Sequence, residues 1–103
     1  MIIINTVAKE TKRGVRVWME GGKLTQAGWN CGDRFNIEFD EGNQLVRLSK
    51  NPQGKHKVTN GSRNGTPRPI IDLHSKRLEK VFKASTNVSI KGTPRTLIIF
   101  KED

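Results

Sequence analysis

Several sequence features that would indicate a particular class of protein are absent from this chain or rare in it. Its 103 residues include one cysteine, Cys31, so an internal disulfide is excluded and no redox role is expected of this thiol. The apolar run from Met1 to Ile4 is too short for a membrane span and has no basic segment before it. We therefore expect a soluble, intracellular protein that does not enter a membrane.

Acidic residues are scarce in the second part of the chain. Residues 1–41 carry six basic and six acidic side chains, whereas residues 42–101 carry thirteen basic and only two acidic ones. The second segment therefore has a local net charge of +11, and two acidic residues at the end of the chain bring the total to +9. Because like charges on a small protein repel each other, a polyanionic partner is the simplest explanation of this imbalance.

Patterns for catalysis and metal binding are also missing. His56 and His74 have no cysteine or carboxylate at the spacing of metal ligands, and no nucleophile elbow is present. Four carboxylates lie close together in the sequence: Asp33, Glu38, Asp40 and Glu41. Such a group can hold a metal ion for phosphodiester cleavage, but it is also typical of the solvated side of a hairpin. We expect no enzymatic activity, no cofactor and no metal site.

The apolar residues of the first half predict strands around one short helix. Ile2 to Val7 is rich in β-branched residues and Val15 to Met19 alternates apolar and polar positions, so the two are expected to pair as a hairpin. A helix is predicted over Lys23 to Ala27, with Gly28 ending it in the left-handed conformation and Trp29 as the core anchor beyond. Two more strands follow, joined by an Asp-Glu-Gly-Asn turn.

The same order of elements is predicted again after residue 54. The predicted elements are a weak strand over Lys55–Thr59, a loop over residues 60–69, a strand over Ile70–Leu73, a helix over Lys76–Lys83 capped by Ser75, and a hairpin of Asn87–Lys91 and Thr96–Phe100. Matching apolar positions are separated by 52 to 54 residues. We therefore predict one domain, residues 1–103, with an internal repeat of residues 1–50 and 55–101. The competing interpretation is that a mixed α+β chain aligns to itself this loosely by chance.

Several residues of the first repeat carry a family resemblance. They are Arg16-Val17-Trp18-Met19, Leu24, Ala27-Gly28-Trp29, Gly32-Asp33, Phe35, Ile37, Gly42, Leu45 and Leu48. With them, residues 14–50 resemble the AbrB/SpoVT superfamily and its SymE-like branch, while residues 55–101 follow the family by the order of elements alone. In that family a hairpin, a short helix and a second hairpin interlock with a second copy.

The resemblance implies a mostly β fold with short helices (β+α), in which two tandem AbrB/SymE-like half-barrels form one pseudo-symmetric swapped-hairpin barrel. Half of such a barrel leaves open sheet edges that only a second copy closes. Most relatives obtain that copy by forming homodimers. With both copies in one chain, the protein is expected to be a monomer or a homodimer.

The resemblance also implies nucleic-acid binding, with duplex DNA as the expected partner, through basic hairpin loops. Carried over by position, the binding residues are Lys9, Lys12, Arg13 and Arg16 in the first copy, Lys55, His56, Lys57, Arg63 and Arg68 in the second, and Lys76, Arg77, Lys80 and Lys83 on the flanking helix. Lysine and arginine neutralise phosphates without reading sequence. The implied role is transcription regulation, nucleoid compaction or toxin-antitoxin control in the cytoplasm of a bacterial or phage-infected cell.

Other interpretations of these residues stay open. A small inhibitor that is encoded by a phage or mobile element and binds a host protein would also be basic. SymE-like relatives are regarded as toxins acting on nucleic acid, so a nuclease is a further alternative. Trp18 shares a strand face with Arg16 and either stacks on bases or packs across the junction of the two copies. The loop residues expected to reach base edges are Asn60, Ser62, Asn64 and Thr66.

Overall fold

The protein is a mostly β structure with two curled sheets and two short helices. The computed structural model describes residues 2–12, 14–62 and 64–102. The strands are β1 (Ile2–Val7), β2 (Lys9–Thr11), β3 (Gly14–Glu20), β4 (Arg34–Asp40), β5 (Leu45–Lys50), β6 (His56–Lys57), β7 (Thr59–Asn60), β8 (Pro69–Ser75), β9 (Asn87–Gly92) and β10 (Thr96–Lys101). The helices are α1 (Gly22–Gln26) and α2 (Lys76–Glu79). Within the described ranges, neither helix has the length and apolar character needed to cross a membrane.

The order of strands is symmetric between the two halves of the chain. One sheet has the order β1-β9-β10-β5-β4-β6 and the other the order β2-β3-β8-β7, with antiparallel neighbours throughout. Exchanging β1 to β5 with β6 to β10, in sequence order, reverses each sheet and leaves every pair of neighbours unchanged. The halves therefore pair at β3 with β8 and at β5 with β10, each of which the exchange maps onto itself, and at one equivalent set of pairs, β1 with β9 and β6 with β4.

Alternation along the strands decides which side chains form the core. Val15, Val17 and Met19 of β3 are at most 2 % exposed, whereas Trp18 between them is 36 % exposed. The inward residues of the other long strands are buried in the same way: Val46, Leu48, Ile71, Leu73, Val88, Ile90, Leu97 and Ile99. The period of two that predicts strands in the sequence therefore also divides core from surface.

The turn after α1 holds the largest core side chain. The N–H of Trp29 donates to Leu24 O and that of Gly28 donates to Thr25 O, which is the Schellman ending of a helix. Gly28 has a left-handed φ of 92°. Trp29 is fully buried, and its Nε1 donates to Thr93 O at 2.8 Å. The predicted roles of Gly28 and Trp29 are confirmed.

The first hairpin differs from the sequence prediction. β1 pairs with β9, from Ile2 opposite Gly92 to Val7 opposite Asn87, and the short β2 pairs with β3 in its place. The chain passes from one sheet to the other at Ala8, which is fully buried. A local hairpin would leave the edge of β9 uncovered, whereas in the structure β1 covers that edge and is itself the edge strand of the sheet.

α2 is shorter than predicted. The sequence pattern predicts a helix over Lys76–Lys83, whereas the structure ends it at Glu79. Val81 and Phe82 are buried in the core, and Ser85 has a left-handed φ of 69° as the chain turns towards β9. Burial of these two side chains and the return to the sheet therefore replace the expected second turn.

Ser75 caps α2 as the sequence predicts, because its Oγ accepts the N–H of Leu78 at 3.2 Å. Ser75→Ala is expected to lower the free energy of unfolding by about 1 kcal/mol, the usual cost of losing an N-cap. Urea denaturation measures this difference. Ser75→Thr keeps the hydroxyl and is the control; equal stability of the alanine and threonine variants would contradict the role of the cap.

Candidate nucleic-acid interface

The α2 turn is held to the core by its apolar side and exposes cations on the other. Leu78 is buried, and the N–H of Phe82 donates to Leu78 O at 2.9 Å, which extends helical geometry beyond α2. Lys76, Lys80 and Lys83 are exposed and stand at positions i, i+4 and i+7. The spacing of Lys76 and Lys80 puts them on one side of the turn, and Lys83, which lies beyond the end of α2, lines one depression together with Lys76.

The β2–β3 hairpin lies directly against the start of α2. A Cβ on Gly14 would stand 2.9 Å from Ser75 O and 3.0 Å from Lys76 Cα, and the φ of 121° also requires glycine. The charged residues that line the depression of about 340 Å³ between hairpin and helix are Lys12, Lys76, Lys83, Glu10 and Glu79. Cations that are distant in sequence therefore share one site, and we refer to Lys12, Lys76, Lys80 and Lys83 as the lysine surface.

Ion pairing divides the predicted site residues into two groups. Arg16 donates from Nε and Nη2 to the two carboxylate oxygens of Asp72, at 2.8 and 2.9 Å, and this hydrogen bonding raises the pKa of Arg16. Arg68 Nη2 lies 3.0 Å from Glu20 Oε1. The remaining predicted cations, which form no ion pair within the described part of the chain, are Lys9, Lys12, Lys55, Lys57, Lys76, Arg77, Lys80 and Lys83.

A second group of predicted residues lies on and beside β6. Lys55, His56 and Lys57 are exposed, and the His56 ring stacks on Phe35 with a centroid distance of 5.6 Å. Lys57 lines a groove together with Arg77, whose guanidinium lies 4.7 Å from the centre of an aromatic ring of β4. Arg77 therefore faces this groove, whereas Lys76, the residue before it, belongs to the lysine surface.

Two predicted site residues, Arg13 and Arg63, lie outside the described residues. In the loop that follows β7, Asn60 Oδ1 accepts the N–H groups of Ser62 and Arg68, at 2.9 and 3.1 Å. This oxygen holds the loop in shape. It is therefore engaged within the protein rather than free to read a base edge.

The outer face of the four-stranded sheet carries a mixed polar row. Arg16 lies opposite Lys9 of β2 and His74 of β8, and its guanidinium lies 4.5 Å from the centre of the Trp18 ring. Trp18 lies opposite Asp72 at the β3–β8 junction, on the solvent side of the sheet. One face of this ring is therefore already occupied by Arg16.

Asp33 and Asp40, two of the four carboxylates that lie close together in the sequence, form contacts within the protein. Asp33 Oδ2 accepts the N–H of Asn30 at 2.7 Å and lies 3.1 Å from Lys50 Nζ. Burial raises the pKa of Asp33, but the hydrogen bond from Asn30 and the ion pair with Lys50 outweigh it and lower the pKa. Hydrogen bonds from Asn43 lower the pKa of Asp40. The described residues include no group of three or more His, Cys, Asp or Glu side chains arranged to hold a metal ion.

The groove beside β4 is the feature that the sequence reasoning missed. β1 covers the edge of β9 with six residues, whereas β6 pairs only with Arg34 and Phe35 of β4. Composition does contain a signal for this difference. Ile2–Val7 is rich in β-branched apolar residues, whereas Val58 is the one apolar residue of Lys55–Thr59. A polar segment is a poor cover for an apolar strand edge.

When the chain was compared with known proteins, no family model, no curated protein and no solved structure matched it.

Proposed function

We propose that this protein binds nucleic acid, preferring duplex DNA, through the lysine surface at α2 and the β2–β3 hairpin. The observation that carries the proposal is the arrangement of this surface. Three of its four lysines line one depression, the fourth stands on the same side of the α2 turn, and none forms an ion pair with another described residue. Among the described residues, only two carboxylates, Glu10 and Glu79, line that depression.

The physical argument is electrostatic. Ammonium groups held close together repel each other, which raises the free energy of the folded protein. DNA phosphates remove that repulsion, and their neutralisation releases condensed counterions. Because Gly14 fixes the hairpin against α2, the lysines are positioned before binding. Lysine contacts to phosphate carry no sequence information, so we expect strong dependence on salt and weak dependence on sequence.

We also propose that the chain is an internal duplication of an AbrB/SymE-like unit, with residues 1–50 and 55–101 as its copies in a single domain. The strand orders of the two sheets, which are unchanged when the halves are exchanged, support this interpretation, as does the equivalence of the β1–β9 pair with the β6–β4 pair. One chain would then close a swapped-hairpin barrel without a partner. In that case the protein acts as a DNA-binding regulator or as a nucleoid or toxin-antitoxin protein, and not as an enzyme.

A salt titration of binding tests the proposed function. Fluorescence anisotropy is measured with duplex DNA, single-stranded DNA and RNA of matched length, and sedimentation gives the stoichiometry. We expect the duplex to bind best, with a slope of log affinity against log salt of about −3.6 if each of the four lysines contacts one phosphate. Negligible binding at physiological salt contradicts the function, and equal binding of all three nucleic acids contradicts the preference for duplex DNA.

Single substitutions are expected to separate the free cations from the paired ones. Lys76→Gln should lower the affinity for duplex DNA about eightfold at about 0.1 M salt, because one lost phosphate contact removes about 0.9 from the salt slope. Arg16→Gln should lower it less than about twofold, because Asp72 and the Trp18 ring already hold the guanidinium. Anisotropy on the same duplex measures both. Equal losses would contradict the assignment of Arg16 outside the interface.

A further inference from the structure

The outer edge of β4 is open along most of its length. β6 pairs with Arg34 and Phe35, and no described strand pairs with residues 36–40 on that side. The corresponding edge of β9 is paired with β1 from end to end. The two halves of the protein therefore differ at this position: one strand edge is covered, and its counterpart is not.

The backbone groups at the open edge can be assigned from the bonds at its start. Asp33 O accepts the N–H of Val58, towards β6, whereas Arg34 O accepts the N–H of Asn51, towards β5. Because backbone groups alternate in direction along a strand, those of Ile37 and Phe39 point to the open edge. The edge therefore offers donors and acceptors at the spacing that an added strand requires.

An apolar groove runs beside this edge, between β4 and the β8–α2 segment, with a volume of about 390 Å³. Ile37 and Phe39 line it from β4, and both are partly buried side chains that pack against the core. Leu73 and Leu78 line it from the other side. A segment paired with β4 would place every second side chain in this groove.

On the covered side of the molecule, the corresponding space is filled by a strand. β1 pairs with β9 and also packs against β3 and α1, which are the counterparts of β8 and α2. Ile4 of β1 is partly buried against the core. The fold thus shows that an extended segment fits in the counterpart of this groove, with an apolar side chain turned towards the core.

The charge of the groove indicates which kind of extended chain it would bind. Lys57 and Arg77 line it and form no ion pair with a described residue. Among the described residues that line the groove, the one carboxylate, Asp72, accepts hydrogen bonds from Arg16. A positive rim around an apolar floor favours a chain that alternates apolar and acidic residues.

We propose that the open edge of β4 and its groove bind an extended acidic segment of a partner protein, which adds to the sheet as a further strand. The apolar side chains of the segment enter the groove between Ile37 and Leu78, and its carboxylates meet Lys57 and Arg77. The recognition combines backbone pairing for affinity with pockets and charge for specificity. This surface is separate from the lysine surface, so a result that contradicts DNA binding does not contradict this proposal.

The test uses a short synthetic peptide that alternates valine and glutamate, labelled for anisotropy, with the full-length protein. We expect saturable binding and shifts of the Ile37 and Phe39 amide signals in NMR spectra, without shifts along the outer edge of β1. No binding, or shifts at β1 instead, overturns the proposal. A peptide that alternates valine and lysine is the charge control and should bind at least tenfold more weakly.

Backbone pairing is tested on the peptide, so that the protein stays unchanged. Two versions of the peptide carry N-methyl groups on alternate residues, in opposite phase. One phase blocks the N–H groups that face β4 and should abolish binding, whereas the other blocks those that face solvent and should leave it within about twofold. Equal binding of the two versions overturns strand addition.

Variants of the protein test the rim and the competing occupants. Arg77→Glu should weaken binding of the acidic peptide about tenfold, whereas Arg95→Glu, which makes the same charge change in the β9–β10 turn, should not.

A peptide copied from β1, residues 2–7, represents a second molecule of this chain. Tighter binding of that peptide, or shifts of the β4 amides with single-stranded DNA but not with the acidic peptide, would overturn an acidic protein partner.

Discussion

Replacing Lys76, Lys80 and Lys83 together with glutamine is expected to lower the affinity for duplex DNA by about two to three orders of magnitude at about 0.1 M salt. Lys76 and Lys80 stand on one side of the α2 turn, Lys83 lines the same depression as Lys76, and none of the three forms an ion pair with a described residue. Each lost phosphate contact removes about 0.9 from the slope of log affinity against log salt, so the slope should fall by about 2.7. Anisotropy titrations at several salt concentrations give both quantities.

A matched triple variant separates local contacts from overall charge. Lys23, Lys91 and Arg95 are exposed cations outside the lysine surface. α1, which carries Lys23, follows the end of β3, whereas α2 lies against its beginning at Gly14. Changing these three cations to glutamine lowers the net charge by the same amount as the first triple variant. The lost charges would act on bound DNA only from a distance, and salt screens such interactions beyond about 10 Å.

The two triple variants therefore have different expected outcomes. The control should bind duplex DNA within a few-fold of the unchanged protein, with a similar salt slope. If both variants lose the same affinity, binding depends on net charge alone and the lysine surface is not the interface. Urea denaturation shows whether each variant is folded, because exposed lysines away from the core should change stability little.

Features set by local chemistry could be predicted from the sequence. Gly28 and Trp29 end α1 as expected, because a left-handed glycine followed by an apolar residue is sufficient for that turn. Ser75 caps α2 for an equally local reason. The alternation around Trp18 separates core from surface within a single strand.

Features set by contacts between distant segments could not be predicted. The pairing of β1 with β9 joins the two ends of the chain, and nothing in Ile2–Val7 indicates that partner over a neighbouring hairpin. Charge is a second example. Arginine is a residue type that contacts phosphate, but Arg16 and Arg68 form ion pairs with Asp72 and Glu20, which are far away in the sequence. The sequence predicts the four lysines of the lysine surface as binding residues, whereas their arrangement around Gly14 depends on the fold.

Gly54→Ala is expected to lower the free energy of unfolding by about 3 kcal/mol, at the upper end of the usual cost of overpacking. Gly54 is buried, and a Cβ there would lie 2.5 Å from Phe35 O and 2.6 Å from Phe35 C and N. Phe35 cannot retreat, because its ring packs edge-on against Trp29 at 5.7 Å and stacks on His56. The melting temperature should fall by roughly 12 to 24 °C.

Gly22→Ala is the matched control for the added methyl group. Nothing lies within 4 Å of a Cβ at Gly22, which is the first residue of α1, and alanine favours a helix over glycine by up to about 1 kcal/mol. The control should therefore be as stable as the unchanged protein or more so. Urea denaturation and thermal melting compare the three proteins, and equal stability of the two variants would contradict the close contact between Gly54 and the Phe35 backbone.

The same substitution also distinguishes the two surfaces of the protein. The clash acts on β4 and on the turn before β6, where Arg34 Nη1 donates to Gly54 O at 3.2 Å. It should therefore weaken peptide binding at the β4 edge even where the protein is folded. The lysine surface depends on α2 and Gly14 instead, so the affinity for DNA should stay unchanged below the melting temperature. Loss of both activities in the folded variant would show that the surfaces are coupled.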